Sequence, residues 1–337
     1  MSRIEEELRA TFARHEASAP AAGPVRTKID FAWVRAKRRR AWRRTAGVAA
    51  AVVFAGVSAP VVLNGLRHGG QPVDTPAATT PAAQGGPLDV LLIGSDHRTR
   101  WAAGDQRADT VMIVHLGADR RHGYLISLPR GGALADGERL NETLMRGTAA
   151  TRDAVENLTG IELDATVTVD FRALRAVSAA VGDVTMCVRE GIVAHSGRKA
   201  IPPGCQDIGP DEVEPLLRGR WQLPNGSYDR DHNNRAYFRA LAGAVMADGV
   251  GLSELEALLT RAGKGLQIDG DRLALLRVAA SLDEPQLIGI GVTKPSGPEG
   301  GQSEAIYPGV GPSLYSAIRD DRVAEWAAAH PEYVDRW

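Results

Sequence analysis

Cysteine and lysine are nearly missing from this 337-residue chain. There are two cysteines, Cys187 and Cys205, and five lysines against 35 arginines. No histidine lies at ligand spacing from the cysteines, which argues against a Cys/His metal centre. The sequence has no G-x-S-x-G and no Cys–His pairing, so these common nucleophilic hydrolase arrangements are excluded. No segment repeats at a fixed period, which excludes solenoids and propellers. No acidic or basic tail suggests nucleic acid, and the only basic run abuts an uncharged stretch, so nucleic acid is not an expected partner. The scarcity of lysine also discounts arginine as a signal, because a basic position anywhere in this chain is usually Arg.

A formal net charge of −1 hides an asymmetry: residues 1–44 carry +7 and the remainder −8. Topology accounts for it. Residues 45–66 contain no charged side chain, and at about 1.5 Å per residue they span roughly 33 Å, enough to cross a bilayer. Seven basic residues and Trp42 precede them in the run 35–44. The positive-inside rule then puts 1–44 in the cytoplasm as a tail, 45–66 in the membrane as a single-pass helix, and everything beyond outside the cell membrane. A cleaved signal peptide would carry its charges nearer residue 1. Ile4, Leu8 and Phe12 lie at helical spacing in the tail, fitting a solvated or membrane-surface helix. Residues 67–87, rich in Pro, Ala, Thr and Gly, read as a linker, leaving 88–337 as one extracytoplasmic domain.

That domain is organised around residues 88–130. Three short apolar runs, 88–93, 111–116 and 124–128, have strand length and composition. Asp96 and Arg98 follow the first, Arg107 and Asp109 precede the second, and Arg130 follows the third. If the runs go up, down and up, as the turn between Gly117 and Gly123 suggests, two carboxylates and three guanidiniums meet at one edge. Such a set suits a metal ion and a phosphorylated ligand.

Downstream, strands and helices alternate. Helices are expected at 151–159, 170–181 (capped by Asp170 and stopped by Gly182), 232–246, 269–282 (with Leu273, Leu276 and Val278 inside) and 314–329. Strands are expected at 165–169, 184–188 and 287–292. The fold class expected is α/β, a mixed central sheet covered by helices. Cys187 and Cys205 both lie outside the membrane on this reading, where a disulfide persists, although two free thiols are the alternative. A second arginine cluster, Arg218, Arg220 and Arg230 with Arg235 and Arg239 further along, offers bidentate phosphate grips.

In family order, the segments LLIGSD with Arg98, RADTVMIVHL, ISLPR, LNETL, VENLTGIELDATVTVDFRALRAV, and RGR followed by Arg230 resemble the LytR–CpsA–Psr family of membrane-anchored cell-wall enzymes. The resemblance covers about residues 88 to 325. It implies an α/β/α fold that holds a polyprenyl-pyrophosphate-linked glycan, with its lipid tail in an apolar tunnel. The implied reaction is transfer of a phosphoglycosyl polymer to peptidoglycan, with pyrophosphatase as a side activity. By the same resemblance Asp96 and Asp109 match Mg²⁺ (or Mn²⁺) ligands, and Arg98, Arg107, Arg130, Arg218, Arg220 and Arg230 match the residues contacting pyrophosphate. Membrane lipid and peptidoglycan are the implied partners.

Four positions depart from the family pattern. Gly131 stands where an aspartate usually follows Pro-Arg, Ser227 where an acid is usual, Asn233-Asn234 where Arg-Gln is usual, and Asp183 where glycine is common. Gly131 and Asn233 remove one carboxylate and one guanidinium. Two readings follow: an active glycopolymer transferase, or an impaired homologue that binds the lipid or wall glycan as a scaffold or regulator.

Overall fold

The computed structural model describes residues 85–96, 106–193, 200–220, 223–247, 250–283, 285–292, 307 and 309–336. Two compact units divide the chain, Met1–Pro76 and Ala77–Trp337, and every described residue belongs to the second. The expectations for the tail, the membrane span, most of the linker and Arg98 fall outside the described residues. Among the described residues no helix is long and apolar enough to cross a membrane.

The first three runs form strands β1 (Leu88–Ser95), β2 (Ala108–Leu116) and β3 (His122–Ser127). They are antiparallel neighbours, so the expected up-down-up path is present. The chain continues through α1 (Thr148–Thr159), β4 (Ala165–Asp170), α2 (Phe171–Val181), β5 (Val184–Val188), β6 (Ile192–Val193), β7 (Ala200–Ile201) and β8 (Gly204–Ile208). Then come α3 (Val213–Arg218), α4 (Ser227–Met246), α5 (Leu252–Ala262), β9 (Leu266–Asp269), α6 (Arg272–Ser281), β10 (Gln286–Ile290), α7 (Gly311–Arg319) and α8 (Val323–Ala329).

Six strands make the main sheet in the order β10-β3-β2-β1-β4-β9. β4 runs parallel to β1 and β10 parallel to β3, so the sheet is mixed. Alternation along β1 sends Leu91 and Ile93 to one face and Leu92 to the other. On the first face they pack with Val155 of α1, Leu314 and Ile318 of α7 and Trp326 of α8. On the second, Leu92 and Val169 meet Leu174 of α2, Leu216 and Leu217 of α3 and Tyr237 and Leu241 of α4. Both sheet faces are therefore covered, as in the α/β/α arrangement expected.

Local signals explain the boundaries. The Asp170 carboxylate accepts the Ala173 N–H at 2.7 Å and caps α2, and Gly160 ends α1 in the left-handed conformation at φ 65°. Three expectations need correction. The stretch 269–282 is not one helix, because Asp269 ends β9, which pairs with β4, and α6 begins only after its cap Asp271. Leu273 is 41 % exposed, not inside; α6 lies at the margin of the fold and turns Leu276 alone into the core. The stretch 314–329 is two helices, broken where Asp321 takes a left-handed φ of 53°. The segment Leu252–Ala262 is a helix that was not anticipated.

Cys187 and Cys205 face each other across the antiparallel β5–β8 pair and form a disulfide. Closing a loop over a separation of 18 residues contributes about 3 kcal/mol in the chain-entropy model. The bridge braces the strand that leads into α3.

Asp321 breaks the helix because its side chain is committed elsewhere. At the sheet end remote from Asp96, the buried His115 ring contacts Asp89 Oδ1 through Nδ1 at 2.8 Å and Asp321 Oδ1 through Nε2 at 3.0 Å. Asp321 Oδ2 also accepts the Ala118 N–H. Burial alone would lower the imidazole pKa, but hydrogen bonds and charge from Asp89 and Asp321 outweigh it, and the pKa is raised. Asp89 is itself raised by burial, with Asp164 and Asp321 repelling it against the pull of His115. A raised histidine pKa gives stability that is fully present below the unfolded value of about 6.5 and is lost as pH rises through the folded value. Thermal melting should therefore show the advantage of the wild type over Asp321→Asn shrinking over a window that opens near about pH 6.5 and runs upward. A difference that stays constant over that window would contradict the protonated clamp.

Candidate functional site

The antiparallel path of β1, β2 and β3 brings their charged ends together. Asp96 follows β1 directly, and its Oδ1 accepts the Arg107 N–H at 2.7 Å while its own N–H donates to the Arg107 carbonyl at 3.0 Å. Arg107 thus serves the site through its backbone, while its half-exposed guanidinium lies 3.9 Å from Glu142. Two residues into β2's register, Asp109 is buried. Its Oδ1 accepts from Arg130 Nη1 at 2.7 Å, and its Oδ2 lies 3.5 Å from Arg218 Nε. Among the described residues, Asp109 Oδ2 has no hydrogen-bond partner.

Arg130 is placed by its own backbone. Its carbonyl accepts the Asn141 N–H at 2.8 Å, and the Asn141 carbonyl accepts the Ala108 N–H at 3.1 Å. Asn141, which sequence reasoning gave no role, thereby stitches the segment after β3 to the start of β2. Arg218 ends α3; it is held by Glu214 at 3.0 Å and lies over the Phe171 ring at 5.6 Å. Such a contact adds roughly 0.5–2 kcal/mol and orients the guanidinium. Arg230 is buried in α4 with two hydrogen bonds to Asp231 Oδ1, at 3.1 and 2.6 Å.

The electrostatics tie these groups into one site. Burial raises the Asp96 pKa, the Asp109 charge adds to that, and Arg218 and Arg130 oppose it. Burial lowers Arg130, and the positive charges of Arg230 and Arg220 lower it further. Crowded guanidiniums of this kind are relieved by a bound anion. Asp96, Asp109, Arg130, Arg218, Arg220 and Arg230 are therefore brought together, and Arg98 is outside the described residues.

The two carboxylates also suit a hard cation. The described residues offer no group of three or more His, Cys, Asp or Glu side chains that could hold a metal ion. Mg²⁺ is commonly held by one or two carboxylates with water and ligand phosphate completing the shell. The orphaned Asp109 Oδ2 beside Asp96 fits that pattern.

Residues far along the chain hold α4 in place. Asn234 donates to Thr110 Oγ1 at 2.7 Å, docking the helix on β2 next to Asp109. Arg235, expected with the phosphate-gripping arginines, is instead turned into the core. Its guanidinium bonds both oxygens of Asp335, at 2.5 and 2.8 Å, and His232 Nδ1 contacts the same carboxylate at 2.7 Å. No local pattern could have disclosed a pair 100 residues apart.

Fold and edge together define an α/β domain with carboxylates and arginines gathered at one edge of its sheet. The LytR_cpsA_psr family profile matches residues 67–298, and the chain belongs to this family. It is 25 % identical over 236 residues to the cell wall biosynthesis protein LcpA of Corynebacterium glutamicum, covering 56 % of this chain and 46 % of that protein. It is 22 % identical over 224 residues to the polyisoprenyl-teichoic acid–peptidoglycan teichoic acid transferase TagV of Bacillus subtilis, covering 61 % and 56 %. The chain spans about half the length of the curated relatives it matches. The crystal structure of B. subtilis TagV superposes with a TM-score of 0.56 at 18 % identity, covering 71 % of this chain and 98 % of that one. A LytR-Csp2A-Psr enzyme from Actinomyces oris gives 0.55 at 19 % identity, covering 68 % and 89 %. These likenesses show the shared fold.

Burial makes the α4 anchor testable. The Arg235 and Asp335 side chains are each 1 % exposed, and removing one partner of a buried pair costs about 3–5 kcal/mol. Asp335→Ala should lose that much in urea unfolding, and a loss below about 1 kcal/mol would contradict the anchor.

Proposed function

We propose that this chain transfers a phosphoglycosyl polymer from a polyprenyl-pyrophosphate carrier to a hydroxyl of peptidoglycan. The observation that carries this is the convergence of Asp96 and Asp109 with Arg130, Arg218, Arg220 and Arg230 at one sheet edge. The family and the name of its TagV relative support the substrate class. The uncharged run 45–66 behind a basic stretch supports a single-pass anchor with the domain outside the membrane.

Breaking a phosphoanhydride calls for charge neutralisation and positioning more than for a protein nucleophile. Arg130 and Arg218, already fixed against Asp109, hold the pyrophosphate oxygens from one side, and Arg220 and Arg230 from the other. Arg98 and Arg107 complete the family set. The acceptor hydroxyl attacks the sugar-proximal phosphorus, the anhydride P–O bond breaks, and polyprenyl phosphate leaves as an anion the arginines already stabilise. With water as acceptor the same geometry gives pyrophosphatase activity. Asp96 and Asp109 would hold Mg²⁺ or Mn²⁺, which would supply further charge neutralisation at the phosphates.

Binding without transfer is the second reading, and Gly131 and Asn233 favour it. A transfer assay with lipid-linked polymer and peptidoglycan separates the two. Loss of one preorganised donor typically costs about a hundred- to thousand-fold in rate, so Arg218→Ala should lose transfer to that extent with the fold intact by circular dichroism. Gly131→Asp should raise the rate or leave it unchanged. Wild-type rates in Arg218→Ala would remove the arginine clamp, and a wild type inert with every donor would favour the binding-only reading.

A further inference from the structure

Gly311, Tyr315 and Arg319 follow one another at helical i,i+4 spacing along α7, so they share one stripe of the helix. Between that stripe and the C-terminal end of α1 lies a cavity of about 470 Å³, a volume typical of small-molecule sites. It is separate from the arginine edge. Tyr307 and Tyr315 pack on the sheet face that α1 and α7 cover, whereas α3, which ends in Arg218, packs on the other. Tyr315 lines the cavity while only 6 % exposed, and among the described residues its hydroxyl has no hydrogen-bond partner. An unpaired buried hydroxyl is costly, and so calls for a partner. Burial also pushes the pKa of this phenol up, which keeps it a protonated donor.

The second polar group is the Arg319 guanidinium. Its Nη1 donates to the Thr159 carbonyl, and the glycine after Thr159 makes room, since a Cβ on Gly160 would stand 3.2 Å from that nitrogen. Among the described residues Arg319 forms no ion pair; the adjacent Asp320 carboxylate is bonded to Ser316 and Arg322. No carboxylate lines the cavity, and the remaining surface is mostly apolar. Leu158 and Pro312 contribute to it, and the Tyr307 hydroxyl is spent on the Ser127 and Ile290 carbonyls, so that residue offers a fixed ring face. A hydrocarbon alone would leave both donors unpaired. A multiply charged phosphate would find one guanidinium, already partly committed, among aromatic and aliphatic walls. A carboxylate accepts from guanidinium and phenol together, and an apolar body behind it covers the rest. We propose that the cavity between α1 and α7 binds a small amphipathic monocarboxylate, its head held by Arg319 and Tyr315 and its body by Leu158, Pro312 and the Tyr307 ring. This site goes beyond the transferase reading and does not depend on it.

Calorimetric titration of the full chain with phenylacetate, and separately with hexanoate, tests the site. The uncharged phenylacetamide, inorganic phosphate and inorganic pyrophosphate serve as comparisons. Wild type should bind at least one of the two acids, and phenylacetamide about tenfold more weakly than phenylacetate or not at all. Arg319→Gln and Tyr315→Phe should each weaken acid binding about tenfold, as loss of a hydrogen bond to a charged group implies. Pyrophosphate affinity should be the same in both variants as in wild type, because the arginine edge lies elsewhere. If Arg319→Gln does not fold, having also lost its bond to Thr159, Tyr315→Phe carries the comparison, since it removes only an unpaired hydroxyl. Acid binding by a wild type inactive in transfer would uphold this site and count only against the transferase reading. Binding of neither acid by wild type, equal affinity for phenylacetamide, or phosphate bound as tightly as the acids would overturn the proposal. So would acid affinity unchanged in Tyr315→Phe.

Discussion

A carboxylate buried at the start of a central strand is the constraint on which the site depends. Asp109 is buried, and a buried carboxylate is costly unless it is paired. Arg130, from the segment after β3, and Arg218, from the end of α3, supply the pairing. Satisfying Asp109 therefore draws two distant segments to one edge of the sheet. It also leaves Asp109 Oδ2 without a hydrogen bond among the described residues, and sets the charges of Arg230 and Arg220 against Arg130.

The same economy applies to α4. One side of its first turns sends Arg230 toward the edge; Asn234 docks the helix on Thr110, and His232 and Arg235 fix it to Asp335 near the end of the chain. Rigid placement matters because a guanidinium acts on developing charge only if it is already aimed. Asn233 lies on the same turn of α4.

Much of this was legible along the chain because strand ends are local features. Three apolar runs bounded by Asp, Arg and Gly are enough to place Asp96, Asp109 and Arg130 at one edge, once the strands alternate in direction. The caps at Asp170 and Gly160 were equally readable. What escaped notice was non-local. Asp335 is 100 residues from Arg235, Asp321 is 206 residues from His115, and neither leaves a periodic trace. The break between α7 and α8 follows from the second of these, since Asp321 leaves helical geometry to reach His115. Leu273 misled because a periodic leucine at the margin of a fold has no partner layer to pack against.

The central claim is that the edge built on Asp96 and Asp109 binds pyrophosphate as a charged unit. Calorimetric titration of the full chain with inorganic pyrophosphate, with and without Mg²⁺, tests it most directly. The account predicts binding that tightens with Mg²⁺ and weakens about tenfold to hundredfold in Arg220→Ala, since a charge-assisted hydrogen bond is lost. Affinity indifferent to Mg²⁺ and identical in Arg220→Ala would contradict it.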